Sequence, residues 1–258
     1  MAESGLSIGW TELQQEVGGF LGYGRANWNA AQTAEIAAIV QSGVRRVYYP
    51  MGIPEVAGYD WSWLRPTTTL AITLAGGYDY DLPDDFGRLI GKLHYGPDEN
   101  YAPIQLIPLD RLLQMKVRED REDTPYYAAI RRKTEDRTTG QRWELLLWPK
   151  PDASYTLYYS YEAYSGPLSD SYPYPLGGMS LAELFIESCL AVAEQRLNDE
   201  IGVHTQTYQA LLLDAVQRDK KHSPTYFGYM GHTEYQVERR LHGLTASPYP
   251  ILYKDVLI

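Results

Sequence analysis

The sequence predicts an α+β fold. Helices from both flanks of the chain form an antiparallel bundle, a small antiparallel β sandwich or barrel is inserted between them, and a long extended C-terminal arm follows. Two changes of hydrophobic period carry this reading. Apolar residues recur at helical spacing up to about residue 50, alternate with period two from about 54 to 166, and return to helical spacing after about 180. Beyond Pro224 sustained periodicity is lost. The expected division is a first helical part over 1–53, a β domain over 54–166, a second helical part over 167–223 and an arm over 224–258.

Each element has a local reason. Thr11 with Gln14 has the spacing of a capping box and opens a short helix that Gly18 and Gly19 close. Asn29 with Gln32 repeats the device, and Ile36, Ile39, Val40, Val44, Val47 and Tyr48 then fall on one helical face until Pro50 stops the run. Five strand-like runs follow: TTTLAITL, FGRLIGKLHYG, PYYAAIRRKT, RWELLLW and YTLYYSYEAYS. Between them AGGYDYDLPDD, GPDEN, REDRED, DRTTG and PKPD read as turns or loops. Tyr155, Leu157, Tyr159 and Tyr161 share one side of the last run, so one face of that sheet is covered. Asp110 is placed to cap a short helix, DRLLQMKVRE.

After the loop SGPLSDSYPYPLGG, Ser180 and Glu183 form a third capping box, and Leu181, Leu184, Phe185, Leu190, Val192 and Leu197 give the helix an apolar face. Gly202 breaks it. TQTYQALLLDAVQRDKK begins another helix, turning Tyr208, Leu211, Leu212, Ala215 and Val216 inward, with Pro224 as its limit.

At 258 residues, 44% hydrophobic and 22% charged, the chain can bury a substantial core, which excludes wholesale disorder. Its 23 Tyr against 4 Phe favour half-wet surfaces and extensive contact area, because tyrosine joins a large apolar ring to a polar tip. A formal charge of −10 argues against gripping nucleic acid by phosphate neutralisation. MAESGLSIGW has neither a basic start nor an apolar h-region, and no apolar run approaches the roughly 20 residues of a membrane span, so cytoplasm, or a particle assembled there, is expected.

Chemistry-bearing motifs are scarce. G-x-S-x-G, H-E-x-x-H, paired C-x-x-C and P-loop patterns are absent from the sequence. GGFLGYG lies between helices rather than after a strand, so it reads as an interhelical turn and not a dinucleotide loop. Cys189 stands alone within LFIESCLAVAEQ, as a buried helical thiol rather than a nucleophile. His222, His232 and His242 recur ten apart, a spacing that brings no two onto one helix face, so polar arm residues outweigh a metal site.

YDYDLPDDFG is the densest carboxylate stretch, and Asp79, Asp81, Asp84 and Asp85 leave Ca²⁺ binding or an acid/base pair open. Against both, Pro83 fixes the chain mid-segment and Asp is an ordinary turn residue. RRKTEDR and KVREDRED mix signs, as solvated hairpins or intersubunit ion pairs do. No catalytic, cofactor-binding or metal-ligating residue is assigned, and the expectation is a protein that is not an enzyme and needs no cofactor. One question remains, because Tyr249, Ile251, Leu252, Tyr253, Val256, Leu257 and Ile258 in the final SPYPILYKDVLI need a surface to cover.

The layout resembles a known family. A helix pair, a β domain introduced by WSWLRP (residues 61–66), the phrase YDYDLPDDF (78–86), LLWPKP (146–151), the SLAE helix and a long arm together resemble the head-to-tail adaptors of tailed bacteriophages, over about residues 10–220. The tail tubular proteins of short-tailed phages are similar in plan. The resemblance implies a structural virion neck protein: a ring, typically a dodecamer, whose helical part meets the portal protein and whose β part faces the tail or a second neck protein. Double-stranded DNA then passes through the ring without specific binding, and no membrane is involved. On this reading Tyr226, Phe227, Tyr229, Tyr235, Leu241 and the apolar residues of 249–258 form an arm that adds itself as a strand to, or drapes as an extended ribbon over, the portal or a neighbouring adaptor, with partial strand character at most because its Pro residues limit pairing.

Two alternatives stay open. One is a β-rich glycan-binding or glycan-cleaving protein using the Asp79–Asp85 carboxylates with Trp61 or Trp63 as a sugar platform. The other is a different neck or tail ring, such as a tail terminator or tail tube protein.

Overall fold

Gly9 opens helix α1 (Trp10–Phe20): its backbone N–H donates to the Glu12 carboxylate at 2.8 Å. Thr11, expected to cap, therefore lies inside the helix. Gly18 and Gly19 do not end it either. The Trp28 indole lies against Gly18, where a Cβ would come within 2.8 Å of the ring, so this glycine permits a close approach. Helix α2 (Ala30–Tyr48) starts as expected, with reciprocal Asn29 and Gln32 hydrogen bonds of 2.9 and 3.0 Å. All six residues assigned to its inner face are buried.

The computed structural model describes residues 4–51, 53–72, 77–97, 99, 101–133, 140–198, 201–222, 252–253 and 256–257. Among them the fold is mixed α+β, with five α-helices and two main sheets. The remaining helices are α3 (Leu109–Arg118), α4 (Ala182–Asn198) and α5 (Val203–His222). Pro108, not Asp110, precedes α3, and Asp110 sits in its first turn, where a carboxylate complements the helix dipole. Ser180 lies within a 3-10 turn, Met179–Leu181, that leads into α4, so the expected box does not cap that helix.

Residues from both flanks share one core. Leu13 and Val17 of α1, Ile39 and Val40 of α2, Phe185 and Cys189 of α4, and Leu212 and Val216 of α5 belong to a single buried cluster. Helix α4 touches α1, α2 and α5. At its crossing with α2, a Cβ on Gly43 would stand 2.6 Å from Cys189 Sγ and 2.7 Å from Cys189 Cα. The Ser188 hydroxyl donates to the Gly43 carbonyl at 2.8 Å across the same contact. Cys189 is a buried thiol whose pKa burial pushes up to about 12. Leu197, assigned to the apolar face of α4, is exposed instead.

Strands β1 (Thr67–Ile72), β3 (Phe86–Tyr95) and β7 (Tyr155–Ala163) form one sheet in the order β1-β7-β3. Strands β2 (Asp79–Asp81), β4 (Gln105–Leu106), β5 (Tyr127–Arg132) and β6 (Trp143–Trp148) form the other, in the order β2-β6-β5-β4. β2 corrects the reading of AGGYDYDLPDD as loop throughout: Asp79, Tyr80 and Asp81 pair antiparallel with β6. β4 runs parallel to β5, so this sheet is mixed rather than purely antiparallel. Alternate residues of β7 are buried from Tyr155 onward, as its period requires.

Ile72, Phe86 and Leu157 of the first sheet pack with Ala128, Leu145 and Leu147 of the second. The opposite side of the second sheet, Ala129, Leu146 and Trp148, packs on Leu112 of α3. β6 is thus covered on both sides, which is why LLLW is a continuous apolar run. No helix among the described residues is long and apolar enough to cross a membrane. Residues Met1–Ser223 form one compact unit and Pro224–Ile258 a second.

Gly43→Ala adds helix propensity of about 1 kcal/mol but drives a methyl into the Cys189 backbone. Overpacking of this kind costs about 1–3 kcal/mol and more where backbone must move, so a net loss of stability is expected in chemical denaturation. Alkali provides a second test. Burial raises the Tyr159 and Tyr208 hydroxyls to about 12, against about 10 in an unfolded chain. The folded state holds these protons more tightly, so their stabilisation is complete below pH ~10 and is lost as pH rises toward ~12. The melting temperature should fall over that window, and less steeply in Tyr208→Phe.

Candidate functional site

Of the residues expected to make the arm's contacts, Tyr226, Phe227, Tyr229, Tyr235, Leu241, Tyr249, Ile251 and Ile258 lie outside the described residues, as do His232 and His242. Strands β8 (Leu252–Tyr253) and β9 (Val256–Leu257) pair antiparallel in the register Leu252↔Leu257 and Tyr253↔Val256. The backbone pairing of these four residues is therefore with one another.

The 79–85 carboxylates do not converge. Lys133 Nζ donates to both oxygens of Asp81 at 2.7 Å. Arg131 donates to Asp79 at 3.2 Å and pairs with Glu144. Asp84 pairs with Arg142, and Asp85 accepts from the Tyr161 hydroxyl at 2.9 Å. Because Asp81 lies opposite Glu144, which in turn lies opposite Arg131, acids and bases form a ladder across β2, β6 and β5. Among the described residues no group of three or more His, Cys, Asp or Glu is placed to hold a metal ion.

Trp61 does not serve as a sugar platform. It is 1% exposed, and its Nε1–H donates to the Val47 carbonyl at 2.8 Å. The glycan reading thus loses one of its two platform candidates, and its carboxylates each have another partner.

Sequence reasoning missed Asp219. It follows Ala215 and Val216 on the inward side of α5, and accepts from Tyr59 Oη at 2.7 Å, the Ser62 N–H at 3.0 Å and the Ser62 hydroxyl. The signal for it was a carboxylate at i+3 and i+4 from two apolar core positions. Burial, and then the Asp219 hydrogen bond, raise the Tyr59 pKa. This contact fixes the WSWLRP segment against α5, four residues before Ser223 ends the compact unit.

Among the described residues two exposed apolar surfaces stand out. A cleft of about 520 Å³ lies among the last turns of α2 and α4 and the start of α5, lined by Arg45, Arg46, Tyr49, Met51, Ile201 and Tyr208 among others. Met51 is 82% and Ile201 73% exposed. Arg46 donates to Gln195 at 2.7 Å, whereas Arg45 has no partner among the described residues. The second surface is the loop ahead of α4, where Tyr172, Tyr174, Leu176 and Met179 are exposed. The N-terminal segment joins it through a Ser4 hydroxyl contact to the Met179 sulfur at 3.3 Å.

A protein-family model described as SU10 adaptor protein matches residues 9–228. The chain belongs to the SU10 adaptor protein family. Membership agrees with the head-to-tail adaptor resemblance read from the sequence and extends over α1 to α5 and both main sheets. The SU10 adaptor match stops short of residues 229–258. No curated protein matches the chain.

The ion-pair ladder predicts a graded response. Asp81→Asn and Asp84→Asn break exposed pairs and should each cost less than about 1 kcal/mol. Arg131→Ala leaves Glu144, 7% exposed, without its cation and should cost about 3 kcal/mol. Urea denaturation of the three variants separates the two cases.

Proposed function

We propose that this SU10-family adaptor is a structural protein of the virion neck. It forms a ring, a dodecamer in our reading, that joins the portal protein to the tail or a second neck protein and lines the DNA channel. The family match over 9–228 is the observation that carries this. In the proposed organisation, helical parts 1–53 and 167–223 make one antiparallel bundle that meets the portal. The β domain over 54–166 is a small sandwich facing the tail, and 224–258 is an extended arm seated on the portal or a neighbouring subunit.

Charge and surface support the reading. A net charge of −10 opposes adhesion to phosphate, which suits a wall past which DNA slides. Many of the basic side chains are held by acids, as in Arg88 with Glu162, Lys133 with Asp81 and Lys150 with Glu122. Exposed aromatic and aliphatic residues at the two open surfaces supply the contact that rings need.

The test is mass. Native mass spectrometry of the full chain, alone and with its cognate portal, should give a closed ring in at least one condition. The chain ending at Ser223 should fold but fail to join the portal. A full-length protein that stays monomeric in both conditions overturns the proposal.

A further inference from the structure

The geometry points to the Arg45–Met51–Ile201 cleft as the acceptor half of a head-to-tail contact between copies of this chain, with the loop 165–179 of the next copy as its donor half. This rests on the ring proposed above and names the surfaces that build it.

The two surfaces differ in kind and are complementary in charge. Among the described residues that line it, the cleft carries Arg45 and Arg46 and no carboxylate. The loop carries the exposed Asp170, and the sequence holds no Lys, Arg or His from 151 to 195. Each surface also offers apolar area, Met51 and Ile201 on one side and Tyr172, Tyr174 and Leu176 on the other. A tyrosine ring that can enter an apolar cleft beside an unpaired guanidinium gains both burial and a cation–π contact. Against a second copy of a chain with 33 acidic and 23 basic residues, a basic cleft is the surface that needs least to be neutralised elsewhere.

The two surfaces are also built from different residues, although the loop reaches the end of α2 where the Leu176 N–H donates to the Tyr48 hydroxyl. Met179 precedes the first residue of α4, and Gln195, which lines the cleft, lies in its last turn. At 1.5 Å per residue these positions are separated by roughly 20 Å along the helix. A contact between different patches is heterologous, so each subunit keeps one free acceptor and one free donor until the ring closes. An isologous dimer would instead use one patch twice and stop.

This asymmetry gives a direct experiment on the full chain. An acceptor variant, Arg45→Glu with Met51→Asp, and a donor variant, Asp170→Asn with Tyr172→Asp, change only exposed side chains. Each alone should remain monomeric under the conditions in which the unaltered chain forms rings. Mixed, they should form a 1:1 dimer and nothing larger, because a single intact contact remains between them; the dimer also proves that both are folded. The milder Arg45→Ala and Tyr172→Ala should weaken ring formation by about tenfold each. Rings from either double variant, or a mixture that stays monomeric, overturn the assignment while leaving the ring itself standing. Variants that form rings but no longer join the portal also overturn it, by giving the cleft to the portal. An unaltered chain that makes no ring removes the neck proposal and this contact together.

Discussion

The close approach of α2 to α4 at Gly43 and Cys189 is the contact on which the rest of the compact unit depends. The two helices are separated by well over a hundred residues of chain, and bringing such distant segments together costs loop-closure entropy. The inserted β unit removes most of that cost by its own folding. Its first and last strands are neighbours in one sheet, with Thr67 opposite Ser160, so the chain leaves and returns at almost the same place. Once that sheet exists, the loop left to close is the short stretches on either side of it. The helix contact then needs no Cβ at position 43, which brings the backbones close enough for the Ser188 hydroxyl to reach the Gly43 carbonyl.

Glutamine and tyrosine side chains tie α2 to the loop that follows β7 and to α5. Gln41 exchanges two hydrogen bonds with the Leu168 backbone, at 2.7 and 3.2 Å. The Tyr48 hydroxyl accepts from the Leu176 N–H, and the Tyr208 hydroxyl donates to the Arg46 carbonyl. Each of these side chains fills apolar space and satisfies a backbone group that would otherwise be buried without a partner. The abundance of Tyr over Phe therefore has two sources. Some rings tie the interior, and others, such as Tyr172 and Tyr174, stay on the surface.

Much of the fold was legible where one force acted alone. The inner face of α2, the Asn29 cap and the alternation of β7 follow from period and capping chemistry, and the structure keeps them. Reading failed where tertiary contact overrode a local signal. Gly18 looked like a terminator and is a seat for Trp28; the YDYD stretch looked like a turn and is an edge strand whose acids face the bases of β5 across β6. The inward placement of Asp219 had a local signal, but its partners, Tyr59 and Ser62, are about 160 residues away and had none. The arm was legible as apolar and unperiodic, but a sequence does not encode which surface an aperiodic segment covers.

The distribution of charge matters more for assembly than its sum. Several basic side chains of the β part are committed within the subunit: Arg131 to Glu144 and Asp79, Arg142 to Asp84, Lys133 to Asp81 and Lys150 to Glu122. A phosphate approaching that surface meets cations already neutralised, and counterion release, the main driving force for non-specific DNA binding, is correspondingly small. The Arg45 guanidinium is exposed at a helix C-terminus beside an apolar cleft, with no acid engaged among the described residues. A cation left free in an acidic chain costs little stability in the monomer and raises the encounter rate with acidic partners. Arg45 is thus an attractive point of the helical part, and it lies where an exposed methionine and isoleucine offer apolar surface.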